Sequence, residues 1–173
     1  MSSSASTRRV MIQWQWFAGL AAISTTLLIL FLLQQWQPET QVQKKFDAFI
    51  SAVEHRKWDK VEKMISPDFH DPWEIGQERL LREAREVFRH FFSLELQTDE
   101  FPEISAKEDQ MEISSQITIR GNGTAIAEMV KGEVNSRKAR LILTYQKQSW
   151  KPWDWKIQSI FSNEINPAHY RHH

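Results

Sequence analysis

The sequence contains no cysteine and few glycines, five among 173 residues. Disulfides, thiolate zinc sites, iron–sulfur clusters and cysteine nucleophiles are therefore excluded. Neither sign of charge is in excess, because 22 basic residues balance 22 acidic ones. General nucleic-acid binding needs a surplus of Lys and Arg, so we expect no nucleic acid partner. The P-loop, GxGxxG, HExxH and GxSxG motifs are also absent from the sequence.

The segment Phe17–Leu33 is uncharged and mostly apolar. Trp16 and Trp36 flank it and would lie about 30 Å apart along a helix, which matches the hydrocarbon thickness of a bilayer. We predict a single-pass transmembrane helix here, with the lipid bilayer as the partner of Phe17–Leu33 and the tryptophans at the two interfaces. No small-x-small cleavage site follows Leu33, which favours a retained anchor over a cleaved secretory signal.

The charges beside this anchor predict its orientation. Arg8 and Arg9 precede the apolar segment, and the positive-inside rule then places the N-terminus in the cytoplasm. Lys44 and Lys45 follow the segment and reduce this bias. The arginine pair also resembles a twin-arginine export signal, an alternative that leaves the large domain on the same side. We therefore expect a periplasmic or otherwise extracytoplasmic domain.

Three parts follow along the chain: residues 1–40 as tail, anchor and connector, residues 41–165 as one domain, and residues 166–173 as a polar tail. Helical periodicity opens the domain, with a second short helix that ends at Ser66-Pro67 and a third after Gly76. The apolar stripes of the first and third helices are Val42, Phe46, Phe49, Ile50 and Val53, then Leu80, Leu81, Ala84, Val87, Phe88, Phe91 and Phe92.

After Ser93 the apolar period changes from 3.6 to 2, which predicts an antiparallel meander. Arg120–Gly123 has the composition of a hairpin turn, and a returning strand is predicted over about 124–134. One face of the sheet should pack on the helices, giving an α+β fold. The strand residues assigned to that face are Met111, Ile113, Ile117, Ile119, Leu141, Leu143, Trp155, Ile157 and Phe161.

Residues 42–162 resemble the nuclear-transport-factor-2-like (NTF2-like) superfamily, which includes the SnoaL-like polyketide cyclases. The resemblance rests on VQKKFDAFISAVEHRKWDKVEKMIS, the D-F-H-D-P that follows, GQERLLREAREVFRHFF and the closing WDWKIQSIF. It implies a cone-shaped α+β roll in which the sheet wraps around the helices and leaves a pocket open at one end. Members include enzymes, ligand binders and interaction modules, and many dimerise through the outer face of the sheet. An anchor before such a domain is similar in layout to the bitopic assembly component of type IV secretion systems.

Candidate pocket residues on the strands follow from register with the apolar face. Ser115, Tyr145 and Ser159 share that face, where Tyr145 would donate a hydrogen bond or act as an acid and the serines would orient a ligand. The alternative places the Tyr145 hydroxyl in water at the strand end and the serines in local backbone bonds. Trp155 would line an apolar ligand cavity or fill the core.

Two further candidates carry titratable groups. Glu128 sits among the apolar residues of the predicted strand 124–134 and would serve as a general base if it faced inward; the opposite parity leaves it exposed. His70 lies between Asp68 and Asp71 and would shuttle protons near neutral pH. Asp71 and Asp68 are equally explained as a helix cap and a turn residue.

Two functions of different class follow from these observations. The first is a membrane-anchored binding or assembly module, whose partners would be a small apolar ligand, a protein, or a second copy through the sheet face. The alternative is a SnoaL-like lyase, isomerase or hydrolase with an acid or base in the pocket. The sequence assigns no catalytic residue, no cofactor and no metal ligand.

Overall fold

The computed structural model describes residues 24–29, 31, 36–70, 75–107 and 109–162. The chain separates into two compact units, Met1–Gln37 and Pro38–His173. In the first unit, residues 24–29 are helical. Among the described residues, no helix has both the length and the apolar character needed to cross a bilayer. Most of Phe17–Leu33 lies outside the described residues, so the anchor stays a prediction.

Three helices open the second unit: α1 over Pro38–Glu54, α2 over Trp58–Met64 and α3 over Gln77–Phe88. The predicted stripe of α1 is buried over its whole length, from Val42 to Val53. Only Leu81 is fully buried on α3, whose other face carries an ion pair between Arg79 and Glu83 at 2.7 Å. The stripe of α1 is therefore buried as predicted, whereas the stripe of α3 is only partly buried.

The described strands form one antiparallel sheet with β3 as its longest member. The bounds are Phe91–Thr98 for β1, Glu103–Lys107 for β2, Gln110–Gly123 for β3, Arg140–Lys147 for β4 and Trp155–Phe161 for β5. Along the sheet the order is β1-β3-β4-β5. β1 and β2 pair with the same edge of β3, β2 with its first half and β1 with its second half. Helices packed on an antiparallel sheet confirm the α+β class.

The returning strand predicted over 124–134 is wrong, because Ala125–Arg137 is a helix, α4. Ala127, Val130 and Val134 carry its contacts with the sheet, a spacing of three and four residues that suits a helix. Most of the segment also consists of good helix formers. Arg120–Gly123 is not a hairpin turn but the end of β3, still paired with β1.

The stripe predicted for the third helix extends to Phe91 and Phe92, but α3 ends at Phe88 and both residues lie in β1. Phe92 and Phe161 then face away from the core because the strand registers shift. Phe92 lies in a shift between Phe91 and Ser93 and is 75% exposed, while Phe91 is buried in its place. On β5, Thr144 pairs with Ser159 and Tyr145 with Ile157, which leaves Gln158 as an extra residue. Beyond Gln158 the faces are exchanged, so Phe161 lies on the face opposite to Ile157.

The core lies between the helices and the sheet. Its fully buried members combine the α1 stripe with the inner faces of the central strands, and the largest of them are Tyr145, Phe46, Phe91, Ile65, Ile113, Leu143 and Ile157. A smaller cluster around Ile119 and Ala127 holds α4 against β1 and β3. Between the two clusters lie partly buried residues that contact both, among them Phe88, Leu96 and Ile117.

Candidate functional site

A cavity of about 210 Å³ lies between the three opening helices and the sheet. Its wall is almost entirely apolar. On the helix side the wall consists of Phe49, Ile50, Val53, Trp58, Val61, Ile65, Leu80, Leu81, Ala84, Phe88 and, from α4, Val134. On the sheet side it consists of Leu96, Ile117, Ile119, Ala139, Arg140, Leu141, Ile160 and Ser162.

The aromatic end of the cavity is formed by residues from different helices. The rings of Trp58 and Phe88 have their centroids 6.0 Å apart and are tilted by 40°. The Phe88 ring lies at the same distance from that of Phe91, with a tilt of 37°. Such tilted contacts are the favoured arrangement of aromatic pairs. Phe88 thus contacts one lining ring, Trp58, and one core ring, Phe91.

Arg140 is the charged residue of the wall. Its guanidinium pairs with Glu103 at 3.1 Å and lies 3.9 Å from Asp99, and the side chain is 40% exposed. The charge is therefore satisfied at the surface by two carboxylates, and the aliphatic stem is the part that suits an apolar wall. Ser162 supplies the other polar side chain among the described lining residues.

None of the six predicted pocket residues lies on this wall. Ser115 is fully buried on β3, as its register predicted, but its hydroxyl is engaged locally. The Oγ atom accepts a hydrogen bond from the backbone N–H of Asp99 at 3.0 Å and donates to the carbonyl of Gln116 at 3.3 Å. Ser115 thus holds the connection after β1 through backbone groups, of which Gln116 is adjacent and Asp99 lies 16 residues away.

Tyr145 is 1% exposed and belongs to the core rather than to the cavity. Its hydroxyl is buried and has no hydrogen-bond partner among the described residues. Burial raises the pKa of Tyr145 well above its usual value, and the nearby Asp47 carboxylate adds to the rise. The phenol therefore stays protonated at any physiological pH, which disfavours the predicted role as an acid.

His70 is exposed and supports a loop that is fastened to β5. Its Nδ1 atom lies 3.0 Å from the carbonyl oxygen of Asp68 and 3.3 Å from Nε2 of Gln158. Gln158 Nε2 donates to the same carbonyl at 2.8 Å, and Ser66 N–H donates to the carbonyl of Ile157 at 2.8 Å. The extra residue of β5 is thus the one that fastens this loop. Asp71 lies outside the described residues.

The other three candidates are also placed away from the cavity. Glu128 is half exposed on α4 and pairs with Lys131 at 2.6 Å. It therefore does not face inward from a strand, as the prediction of a general base required. Trp155 fills the core, and its indole N–H donates to the carbonyl of Pro152 at 2.9 Å. Ser159 is half-buried and, as the residue between Gln158 and the cavity-lining Ile160, faces the opposite side of β5.

Sequence reasoning missed Ile160, Ser162 and Val134 as lining residues. The first two reach the wall only because of the extra residue in β5, which strict alternation does not reveal. Val134 could have been found from the sequence. It follows Ala127 by seven residues, a spacing that places both on one face of a helix. In the described part of the chain, no three His, Asp or Glu side chains come together as a metal site requires.

Neither a protein-family model nor a curated protein matches the chain. Solved structures do resemble it. A candidate dehydratase of the NTF2-like family from Streptomyces avermitilis is 14% identical with a TM-score of 0.55, covering 74% of this chain and 96% of that one. A hexachlorocyclohexane dehydrochlorinase, LinA-type3 from Novosphingobium barchaimii, is 12% identical with a TM-score of 0.56, covering 78% and 90%.

Bd1075 from Bdellovibrio bacteriovorus is 10% identical with a TM-score of 0.54 over 72% of this chain, which spans 40% of the length of Bd1075. Identities this low carry the fold and not the activity. The chain therefore has the α+β fold of NTF2-like proteins, and the apolar cavity between helices and sheet is its candidate site.

Proposed function

We propose that the domain is a binding module that holds a small apolar molecule in the cavity. The observation that carries this proposal is the chemistry of the wall. The described lining residues include no carboxylate, imidazole or amine, and a guanidinium such as that of Arg140 neither gives nor takes a proton at physiological pH. General acid–base catalysis needs such a group within hydrogen-bond reach of the substrate.

The size of the cavity indicates the class of ligand. At about 210 Å³, it exceeds the roughly 150 Å³ of a dry engineered cavity that binds benzene, and it is smaller than the roughly 300–1,000 Å³ of drug-sized sites. A one- or two-ring aromatic molecule or a short aliphatic one fits these limits. An apolar wall binds such molecules by removing their surface from water.

The predicted anchor gives this module its place. We propose that Phe17–Leu33 spans the bilayer with the N-terminus in the cytoplasm and the domain outside it. Apolar ligands accumulate in the membrane. A domain tethered to the membrane therefore meets these ligands at a higher effective concentration than a free domain does. A protein partner or a second copy would then use the outer face of the sheet, as the interaction-module hypothesis requires.

A small-molecule lyase is the second candidate, and the likeness to a dehydrochlorinase and to a candidate dehydratase favours it. Such an enzyme would need a base beside the cavity. Glu54 ends α1 next to the lining residue Val53, and its Oε2 accepts a hydrogen bond from the N–H of Leu96, another lining residue, at 3.4 Å. The lyase hypothesis predicts that Glu54→Gln abolishes turnover of a substrate. The binding-module hypothesis predicts that the same variant binds an apolar probe as tightly as the wild type.

Filling the cavity tests the binding proposal. Ala84 lies on its wall, and Ala84→Phe would place a ring in the space that a ligand needs. Ala125→Phe is the matched control, because Ala125 is exposed on α4. We expect naphthalene to raise the melting temperature of the wild-type full chain and of Ala125→Phe, since a ligand that binds the folded state stabilises it by mass action.

Ala84→Phe should lose most of this rise while melting cooperatively on its own. An equal rise in Ala84→Phe and Ala125→Phe would show that naphthalene binds elsewhere. If naphthalene does not raise the melting temperature of the wild type, the proposal is refuted for ligands of this class.

A further inference from the structure

The turn between β4 and β5 presents two tryptophans to solvent. Trp150 is 84% exposed and Trp153 is 54% exposed. Lys147 and Lys151 lie beside them, with Asp154 at the base of the turn. Single exposed apolar residues are normal, whereas neighbouring ones are typical of interaction sites. Two tryptophans within one short turn therefore make it a candidate interaction surface.

Hydrogen bonds within the turn hold its backbone without help from the two indoles. The N–H of Gln148 donates to the carbonyl of Asp154 at 2.8 Å, and the N–H of Asp154 donates to that of Lys151 at 3.2 Å. The Lys151 N–H donates to the hydroxyl of Ser149 at 3.3 Å. None of these three bonds involves the indole of Trp150 or Trp153, whereas the indole N–H of Trp155 donates to the carbonyl of Pro152.

The position of this turn follows from the direction of α1. Near its C-terminal end, Glu54 bonds to Leu96, which pairs with Ile119 late in β3. One to two turns earlier, Asp47 is close enough to Tyr145 to act on its phenol, and Tyr145 pairs with Met111, at the start of β3.

Helix α1 thus runs along the sheet from the Tyr145 end towards the Ile119 end. Its first residue, Pro38, lies about 13 Å beyond Asp47 at the Tyr145 end. Tyr145 is two residues before Lys147, where β4 ends and the turn begins. The point at which the chain enters the domain and the turn with the two tryptophans are therefore at the same end.

Sequence distance links this end to the proposed anchor. Four residues, Gln34 to Gln37, separate Leu33 from Pro38, and a connector of that length spans at most about 14 Å when extended. Tryptophan prefers the membrane interface because its ring is apolar and its N–H is polar, and lysine is attracted to anionic headgroups. We propose that the β4–β5 turn rests on the lipid surface through Trp150 and Trp153, a proposal that depends on the anchor but not on the cavity ligand.

The absence of cysteine makes a site-specific probe straightforward. Lys151→Cys places a nitrobenzoxadiazole label between the two tryptophans, and Ser136→Cys places the same label on the exposed C-terminal turn of α4. Ser136 is at the other end of the sheet, since β4 carries the chain about 23 Å from Arg140 to Lys147. Full-length variants are reconstituted in vesicles of equimolar phosphatidylcholine and phosphatidylglycerol that contain a headgroup-nitroxide lipid as quencher.

We expect the label at 151 to lose most of its fluorescence and the label at 136 to keep it. Adding Trp150→Ala and Trp153→Ala to Lys151→Cys should restore fluorescence at 151 while the protein still floats with the vesicles. Equal quenching at 151 and 136, or quenching at 151 that the alanines do not change, would overturn the proposal and leave the anchor standing. A full chain that does not float with the vesicles would refute the anchor and the lipid contact together.

Discussion

Two glycines of the second unit should respond to the same substitution with opposite signs. Gly121, late in β3, has a backbone φ of +118°. Residues with a side chain rarely adopt this conformation. A Cβ there would lie 2.2 Å from the carbonyl oxygen of Ser93 and 2.8 Å from its carbon, both backbone atoms. Gly132 lies exposed inside α4, and a Cβ there meets nothing within 4 Å.

Gly121→Ala should lower the free energy of unfolding by about 2–5 kcal/mol, the sum of backbone strain and of displacing the Ser93 backbone. Gly132→Ala should raise it by about 0.5–1 kcal/mol, because alanine loses less backbone entropy in a helix and has the higher helix propensity. Urea unfolding followed by circular dichroism measures both changes against the wild type.

The two results constrain different parts of the structure. A loss of stability in Gly132→Ala would contradict the helix over 125–137, because in a strand or a close contact the added methyl group acts differently. A Gly121→Ala variant within about 0.5 kcal/mol of the wild type, the range of neutral surface changes, would contradict the close approach of β1 and β3 at Ser93.

Tyr145→Phe should raise stability by about 1 kcal/mol at neutral pH, because it removes a buried hydroxyl that has no partner among the described residues. The raised pKa of Tyr145 keeps the folded state protonated while the unfolded state ionises above about pH 10. Wild-type stability should therefore be fully present below that pH and fall by up to about 1.4 kcal/mol per unit above it, a slope that Tyr145→Phe lacks in denaturant titrations at graded pH. Asn135→Ala should cost about 1–3 kcal/mol, since the Asn135 amide bonds both the N–H and the carbonyl of Ile119 at 2.8 Å. Ser136→Ala is its control, and equal unfolding midpoints for the two variants would contradict this role.

The parts of the fold that were predicted from the sequence are those where one face is buried along a whole element. The stripe of α1 and the alternation along β3 and β4 specify which side is inward, since a slip of one residue would expose the entire set. Met111 and Leu143 are buried as expected, and so are Ser115 and Tyr145, which share their register. The burial of these two was predictable, whereas the bond from Asp99 to Ser115 and the lack of a partner for the Tyr145 hydroxyl among the described residues were not.

The errors arise where a single residue changes the register or where two periods fit equally well. In 124–134 both strand parities were apolar, a pattern that an amphipathic helix also produces, and the burial of Ala127 and Val134 against β3 distinguishes them only in three dimensions. The extra residue Gln158 exchanges the faces of β5 and thereby selects Ile160 for the cavity. Predicting the candidate site required that shift, and no local propensity of β5 encodes it.

The clasp between the loop at 66–70 and β5 has a consequence for synthesis on the ribosome. Asp68 and Gln158 bond to each other across 90 residues, and Ile65 bridges to Ile157 in parallel. At translation rates of about 5–20 residues per second, roughly 5–20 s pass between the synthesis of the loop at 66–70 and that of β5. During that interval the apolar stripe of α1 has no complete sheet to cover it. Chaperones on the side of the membrane where the domain emerges should therefore bind this stripe until the fifth strand is available.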